Sequence, residues 1–327
     1  MTAPFDDDPV YLSELPDDLR VRRAEAARRR RWRRRLAALA ALAVIGGIAA
    51  VAIVSLTGNH NGGHASKAEP AKGGGGQGSQ ANATAYPSDW VPYTDPVPII
   101  EYHAIQPPVA GATYPQLFVP QADFVDQMKW LDAHGYEAVT LDQVEDAWYK
   151  DGELPPKPVV LTFDDGYLSQ YVAAFPALEH FHWPGVLNLV TKDADIPDED
   201  VQKMLDANPP WELASHTITH ADLTTLSSAD LKREVAGSRK ILQDRFNVTV
   251  DNFCYPAGQY NDAVIAAVKA AGYRGATSEV PGLATSKDPY VLARIEIELD
   301  DGLDGFVSKL KAAESGSAAS YTPSPGG

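Results

Sequence analysis

Two short stretches concentrate the side chains able to do chemistry. Val159-Val160-Leu161-Thr162-Phe163 reads as an apolar strand that runs straight into Asp164-Asp165-Gly166. Two carboxylates thus sit at a strand's carboxyl end, with a glycine that lets the chain turn. Aspartates also adjoin at residues 6–8, 17–18 and 300–301, where they read as solvated loops or caps. Charges held beside a buried strand end cost several kcal/mol unless a cation is near, and a metal ion is the natural candidate. The second stretch, Ser215-His216-Thr217-Ile218-Thr219-His220, follows the apolar run Trp211-Glu212-Leu213-Ala214. Spacing i, i+4 predicts both imidazoles on one side of a helical turn, within reach of one divalent ion. His60 and His64 repeat that spacing in a glycine-rich segment, so the pattern alone is unspecific. An Asp with two His supplies three protein ligands and leaves positions open for water and substrate, the pattern of a catalytic site.

Strands must carry these groups to one place. Candidate strands are 97–102, 137–141, 158–163, 186–190, 211–215, 251–255, 275–278 and 291–297. Amphipathic helical stretches lie between them at 124–134, 229–246 and 262–271, the second opening on a Ser227-x-x-Asp230 capping signal. Such alternation implies parallel strands joined by crossover helices. An open doubly wound sheet and a closed (β/α) barrel both fit, and both display their chemistry at strand carboxyl ends.

Thr162-Phe163-Asp164-Asp165-Gly166 and Ser215-His216-Thr217-Ile218-Thr219-His220 are similar to the first two motifs of the polysaccharide deacetylases, the NodB-homology group of carbohydrate esterases. The resemblance extends over residues 95–300 and implies a distorted (β/α) barrel. It also implies that Asp164 is the general base and that Asp165, His216 and His220 bind a divalent metal. Zinc is the default ion for that ligand set, with Co, Fe or Mn compatible. The metal acidifies a water, and Asp164 takes its proton as it attacks the acetamide. The third motif departs from the common Arg-x-Pro-Tyr-Gly, reading Cys254-Tyr255-Pro256-Ala257-Gly258. The arginine is absent, while the Ala257 amide can still serve an oxyanion, and Tyr255 is a candidate substrate contact. Together with Pro98-Ile99-Ile100-Glu101-Tyr102-His103 upstream and Leu292-Ala293-Arg294-Ile295 downstream, this is similar to the subgroup acting on biofilm poly-N-acetylglucosamine. Arg294 then becomes a candidate to orient the base, the alternative being an ordinary salt-bridge arginine. No histidine follows His220, so the family's late general acid is missing. His103, at the end of strand 97–102, is the candidate in its place; otherwise it reads as a hydrogen-bonded interior histidine. Cys254 reads as a small buried side chain.

The 327 residues carry a net charge of −16 that is unevenly spread. Residues 1–35 form an Arg-rich tail of net +3, with ten arginines between 20 and 35, and the remainder carries −19. A basic head on an acidic body is not a nucleic-acid-binding composition. Residues 36–56 contain no charge and read as a transmembrane signal anchor of roughly 31 Å, with a cleaved signal peptide as the rival reading. The preceding arginines put the N-terminus in the cytoplasm and the rest of the chain outside. Residues 57–89 have the composition of a flexible Gly-rich linker, 90–313 form the expected deacetylase domain, and 314–327 read as a disordered tail. One cysteine precludes an intramolecular disulfide.

The sequence therefore predicts a membrane-anchored, extracytoplasmic, metal-dependent de-N-acetylase of an N-acetylglucosamine polymer. The competing readings are a peptidoglycan deacetylase, an O-acetyl xylan or glycan esterase and, from another class, a glycan-binding module without turnover.

Overall fold

A computed structural model describes Pro87 and residues 89–317. The segments 1–35 and 36–56, nearly all of the linker 57–89 and the tail from 318 on lie outside the described residues. Among the described residues no helix is long and apolar enough to cross a membrane.

Ten strands are present among the described residues: β1 (Val91–Pro92), β2 (Ile99–Tyr102), β3 (Glu137–Val139), β4 (Glu153–Leu154), β5 (Pro158–Asp165), β6 (Val186–Leu189), β7 (Glu212–Ser215), β8 (Asn252–Cys254), β9 (Gly275–Pro281) and β10 (Leu292–Glu296). Every candidate strand has a counterpart. The short antiparallel pair β1–β4 was not expected, and the strand predicted over 137–141 stops at Val139 because Thr140 caps the helix that follows. Strand order β2-β10-β9-β8-β7-β6-β5 closes on itself, since Ile99–Tyr102 also pair in parallel with residues 160–163 of β5. That pairing excludes the open sheet. β3 adds alongside the first residues of β5. All pairings in the ring are parallel, so every strand's carboxyl end meets one rim.

Period-two alternation sorts each strand into two faces. Ile100, Tyr102, Leu161, Phe163, Leu187 and Leu213 pack outward against the helices, among Phe124, Met128, Leu131 and Phe306. Ile99, Val160, Val186, Ala214 and Leu292 form a separate apolar layer in the barrel interior. Two residues further along the strands the same interior face turns polar, with Glu101, Thr162, Asn188, His216 and Arg294, each 1% exposed or less. This switch builds a polar site above an apolar floor.

The helices are α1 (Gln121–Ala133), α2 (Leu141–Tyr149), α3 (Phe175–Phe181), α4 (Asp198–Leu205), α5 (Ser228–Lys232), α6 (Ser238–Phe246), α7 (Asp262–Ala270) and α8 (Gly302–Glu314). The Ser227 hydroxyl accepts from the Asp230 amide and starts α5 as the capping signal predicts. The single helix predicted over 229–246 is continuous with one correction: Arg233–Gly237 widens into a π turn between α5 and α6. A second π turn, Gln170–Ala174, precedes α3. Each carries a buried polar side chain used below.

Candidate active site

β5 ends on Asp164 and Asp165, and alternation sends the two carboxylates to opposite sides. Asp165 adopts φ of 74° and Gly166 φ of 82°, so the chain turns sharply off the rim. Gly166 is obligatory here, because a Cβ would stand 2.6 Å from Leu189 Cδ1 and 2.8 Å from Ala194 Cβ. The turn brings Asp165 Oδ1 to 3.6 Å from His216 Nε2 and 3.5 Å from His220 Nε2. One ligand atom from each of the three lies within 4.8 Å of the others.

The two histidines get there differently from the expected helical turn. Residues 216–220 are irregular, with Thr217 at φ of 69° and His220 at 56°. Four of the seven non-glycine residues with positive φ among those described (Asp165, Thr217, His220 and Ala257) belong to this rim, which concentrates backbone strain at the site. His216 Nδ1 lies 2.9 Å from the Cys254 carbonyl. A carbonyl only accepts, so Nδ1 carries a proton and Nε2 is the nitrogen turned toward Asp165. Burial, and then the neighbouring His216, push the His220 imidazole down to about 4, which keeps it neutral at pH 7. One carboxylate and two imidazoles converging on a point are a donor set that fits a divalent cation.

Asp164 faces the barrel interior and is 1% exposed. Arg294 Nη1 donates to its Oδ1 at 2.9 Å, and Nη2 lies 2.9 Å from Oδ2. Asn188 Nδ2 donates to Oδ1 at 2.6 Å, and the Cys254 thiol points at Oδ2 from 3.3 Å. Burial would raise this carboxyl, but Arg294, then His216 and His103, outweigh it and hold the group well below the usual carboxylate range. Asp164 is therefore an ionised acceptor at any physiological pH. The arrangement pairs a carboxylate with an adjoining triad able to hold a metal ion, which is the equipment for attacking a carbonyl with water.

Residues 151–276 match the sequence profile of the family described as Polysaccharide deacetylase. The chain carries a polysaccharide deacetylase domain. It is a hydrolase of amide bonds by that membership. Among curated proteins, YxkH of Bacillus subtilis is 29% identical over 224 residues, covering 67% of this chain and 77% of that one. The poly-β-1,6-N-acetyl-D-glucosamine N-deacetylase of Escherichia coli is 26% identical over 256 residues, covering 64% of this chain but 38% of that one. Among solved structures, a polysaccharide deacetylase from Bacillus cereus superposes with a TM-score of 0.59 at 26% identity, covering 66% of this chain and 69% of that one.

The remaining predicted residues of the deacetylase fall into two groups. His103 follows β2 on the same strand face as Glu101, is 7% exposed, and its carbonyl accepts from Gln170 Nε2 at 2.9 Å. Arg294 is no surface arginine: it is 1% exposed at the centre of the barrel mouth. Ala257 sits on the turn after β8 with φ of 48°. The Tyr255 side chain is not brought to the site, as its ring packs on Phe253 and Tyr260 and its hydroxyl donates to the Tyr290 carbonyl. Beside Asp165, His216 and His220 a pocket of about 220 Å³ opens, with Asp165, Tyr167, Asp193, Thr219 and His220 in its wall.

Several participants escaped the motif reading. Asn188 and Glu101 are single polar residues inside apolar strands, a signal that was available in 186–190 and 97–102. Gln170 and Glu234 offer no such signal, because each depends on a π turn. Gln170 Nε2 donates to the carbonyls of both His103 and Asp164. Glu234 Oε2 accepts from the Ile218 and Thr219 amides at 3.0 Å each, and so props the loop between the two histidines.

Proposed function

We propose that this chain is a divalent-metal-dependent de-N-acetylase of an N-acetylglucosamine polymer, poly-N-acetylglucosamine in preference to peptidoglycan. The observation that carries the reading is the convergence of Asp165, His216 and His220 next to an Asp164 gripped by Arg294. The substrate class rests on the poly-β-1,6-N-acetyl-D-glucosamine N-deacetylase among its relatives and on the third motif around Tyr255-Pro256-Ala257-Gly258. Asp165, His216 and His220 hold the ion, most readily zinc, with Co, Fe or Mn as alternatives. When bound, it supplies Lewis acidity that polarises the acetamide carbonyl and makes water acidic at neutral pH.

The protein groups do the rest. Asp164 accepts the proton of the attacking water, and Arg294 keeps its two oxygens fixed toward the site. The Ala257 amide donates to the carbonyl oxygen as charge builds there. His103 gives a proton to the sugar nitrogen as the C–N bond breaks, so that acetate leaves and a glucosamine amine remains. The −19 carried beyond residue 35 is compatible with a product that becomes a polycation. The uncharged run 36–56, with its preceding arginines, anchors the domain on the outer face of a cell membrane through one transmembrane helix, and 57–89 tethers it.

The test is acetate release from β-1,6-linked N-acetylglucosamine oligomers, purified peptidoglycan and acetylated xylan, each with and without chelator. The expected result is chelator-sensitive release that is fastest on the oligomers and is lost in Asp165→Ala and His216→Ala. Full activity in either variant sinks the metal assignment, and release from peptidoglycan alone moves the substrate there. Sugar binding without release on any substrate makes the domain a binding module.

A further inference from the structure

Within an apolar strand whose residues Ile99, Ile100 and Tyr102 are all fully buried, β2 carries a carboxylate, Glu101, that is itself 0% exposed. A carboxylate taken out of water costs several kcal/mol unless it is paired, and the guanidinium beside it is one that Asp164 already uses. Arg294 Nη2 lies 2.9 Å from Glu101 Oε1 and 2.9 Å from Asp164 Oδ2. Elsewhere on the same guanidinium, Nε donates to the Ser278 carbonyl at 2.9 Å and Nη1 to Thr162 Oγ1 at 3.2 Å and Asp164 Oδ1 at 2.9 Å. Nε and Nη1 are thus held by hydrogen bonds, whereas Nη2 makes none and is placed by its ion-pair contacts with the two carboxylates, Glu101 on one side and Asp164 on the other. Glu101 Oε1 also lies 3.9 Å from His103 Nε2, and neither of its oxygens has a hydrogen-bond partner.

We propose that Glu101 is a positioning residue of this site, holding the Nη2 edge of Arg294 so that the guanidinium presents a fixed fork to Asp164, and standing against His103 from the same strand. The proposal rests on the deacetylase reading above and adds to it a residue that touches neither substrate nor metal ligand. A carboxylate kept where two carboxylates share one guanidinium is poor design for stability, and burial followed by the nearby Asp164 pushes its carboxyl well up against the pull of Arg294. Removing it leaves Arg294 and Asp164 as a balanced pair. Stability and turnover are therefore expected to move in different directions, which a purely structural carboxylate would not produce.

The experiment compares wild type, Glu101→Gln and Glu101→Leu by thermal unfolding, by kcat and KM on a β-1,6-linked N-acetylglucosamine oligomer, and by NMR exchange of the Arg294 guanidinium protons. Melting temperatures equal to or above wild type are expected, with KM within about twofold and kcat lowered about tenfold to hundredfold, as a misaligned fork produces. Gln, which keeps an oxygen for Arg294, retains more activity than Leu, and Arg294 protons exchange faster in both. A kcat within twofold of wild type in a folded Glu101→Leu, or a loss carried by KM or by unfolding, overturns the proposal. If wild type releases no acetate from any glycan, the deacetylase reading fails, and the exchange arm still decides: unchanged Arg294 exchange in the folded variants overturns the role of Glu101.

Discussion

Arg294 grips Asp164 with both amino groups, Nη1 at 2.9 Å from Oδ1 and Nη2 at 2.9 Å from Oδ2, across 130 residues of chain. The common third motif places its arginine on the strand equivalent to β8, where this chain has Cys254. Here β10 supplies the guanidinium from two strands further round the barrel. A lysine cannot reproduce the fork, because an ammonium is a point charge without two parallel donors. Arg294→Lys is expected to lower kcat on acetylated oligomers by about a hundredfold with little change in KM. Asp164 releases its proton more readily in the fold than in the unfolded chain. Its stabilisation is thus present above the ordinary aspartate range and is lost as pH falls below it. Acid unfolding of Arg294→Lys should therefore begin at higher pH than in wild type, and coincident acid curves would contradict the assignment.

The opposite end of the barrel holds the reverse situation. Arg274 serves Asp142 at 3.2 Å, Glu145 at 3.0 Å and Asp146, while the buried Glu212 shares only Asn252 and the Asp142 amide. One cation among four carboxylates leaves protons on the acids. Burial lifts Glu145 to about 8 against the pull of Arg274, and lifts Asp142 to about 6. The native state holds protons that the unfolded chain has lost above the usual carboxylate range. The contribution of these acids to stability is therefore greatest below that range and declines as pH rises toward 8, at most by roughly 1.4 kcal/mol per pH unit for each proton retained. Glu145→Gln should flatten the decline in melting temperature between pH 5 and pH 8.5. An unchanged slope would show that Glu145 is ionised throughout.

Local signals reported most of this architecture. The eight candidate strands are present because each is a short apolar run between turn residues, and Ser227 caps its helix through a bond three residues long. Barrel closure was not legible, since the β2–β5 pairing adds no local signature to either strand. Asp165, His216 and His220, singled out as residue types at strand ends, do lie together, but the helical turn expected for 216–220 gave way to two left-handed residues. Spacing alone cannot tell these two routes apart. The link from Glu101 to Arg294, and Glu234 beneath the histidine loop, are tertiary facts invisible to periodicity.

Gly166 is where the turn and the packing make the same demand. Alanine there would be strained at φ of 82° and would drive a methyl group against Leu189 and Ala194. Gly166→Ala should cost about 2–4 kcal/mol from left-handed strain and overpacking combined. Because Asp165 is the preceding residue, the chain's adjustment moves a metal ligand, and metal affinity should fall along with stability. Calorimetry and metal titration test the two effects together. A loss of stability with unaltered affinity would mean that the strain relaxes toward Ala194 rather than toward Asp165.

Glu234 separates the building of the metal site from the building of the fold. It is 2% exposed, sits in the π turn between α5 and α6, and its Oε2 alone accepts the Ile218 and Thr219 amides. Those two amides lie in the loop that holds His220 opposite His216, and His220 is further tied by its own amide to Thr217 Oγ1 at 2.9 Å. Glu234→Ala leaves both amides without their buried acceptor and frees the loop, while the strand carrying His216 stays in the sheet. Groups that orient metal ligands from behind typically change affinity by about 10–100-fold, and a loss in that range is expected in chelator competition. Glu234→Gln keeps one oxygen for the amides and should lose less. At saturating metal the ion itself pulls His220 into place, so kcat should recover to within a few-fold of wild type. Unaltered affinity in a folded Glu234→Ala would show that Thr217 and the Thr191 and Lys192 amides, which donate to the carbonyls of Thr217 and Ile218, set the loop without Glu234.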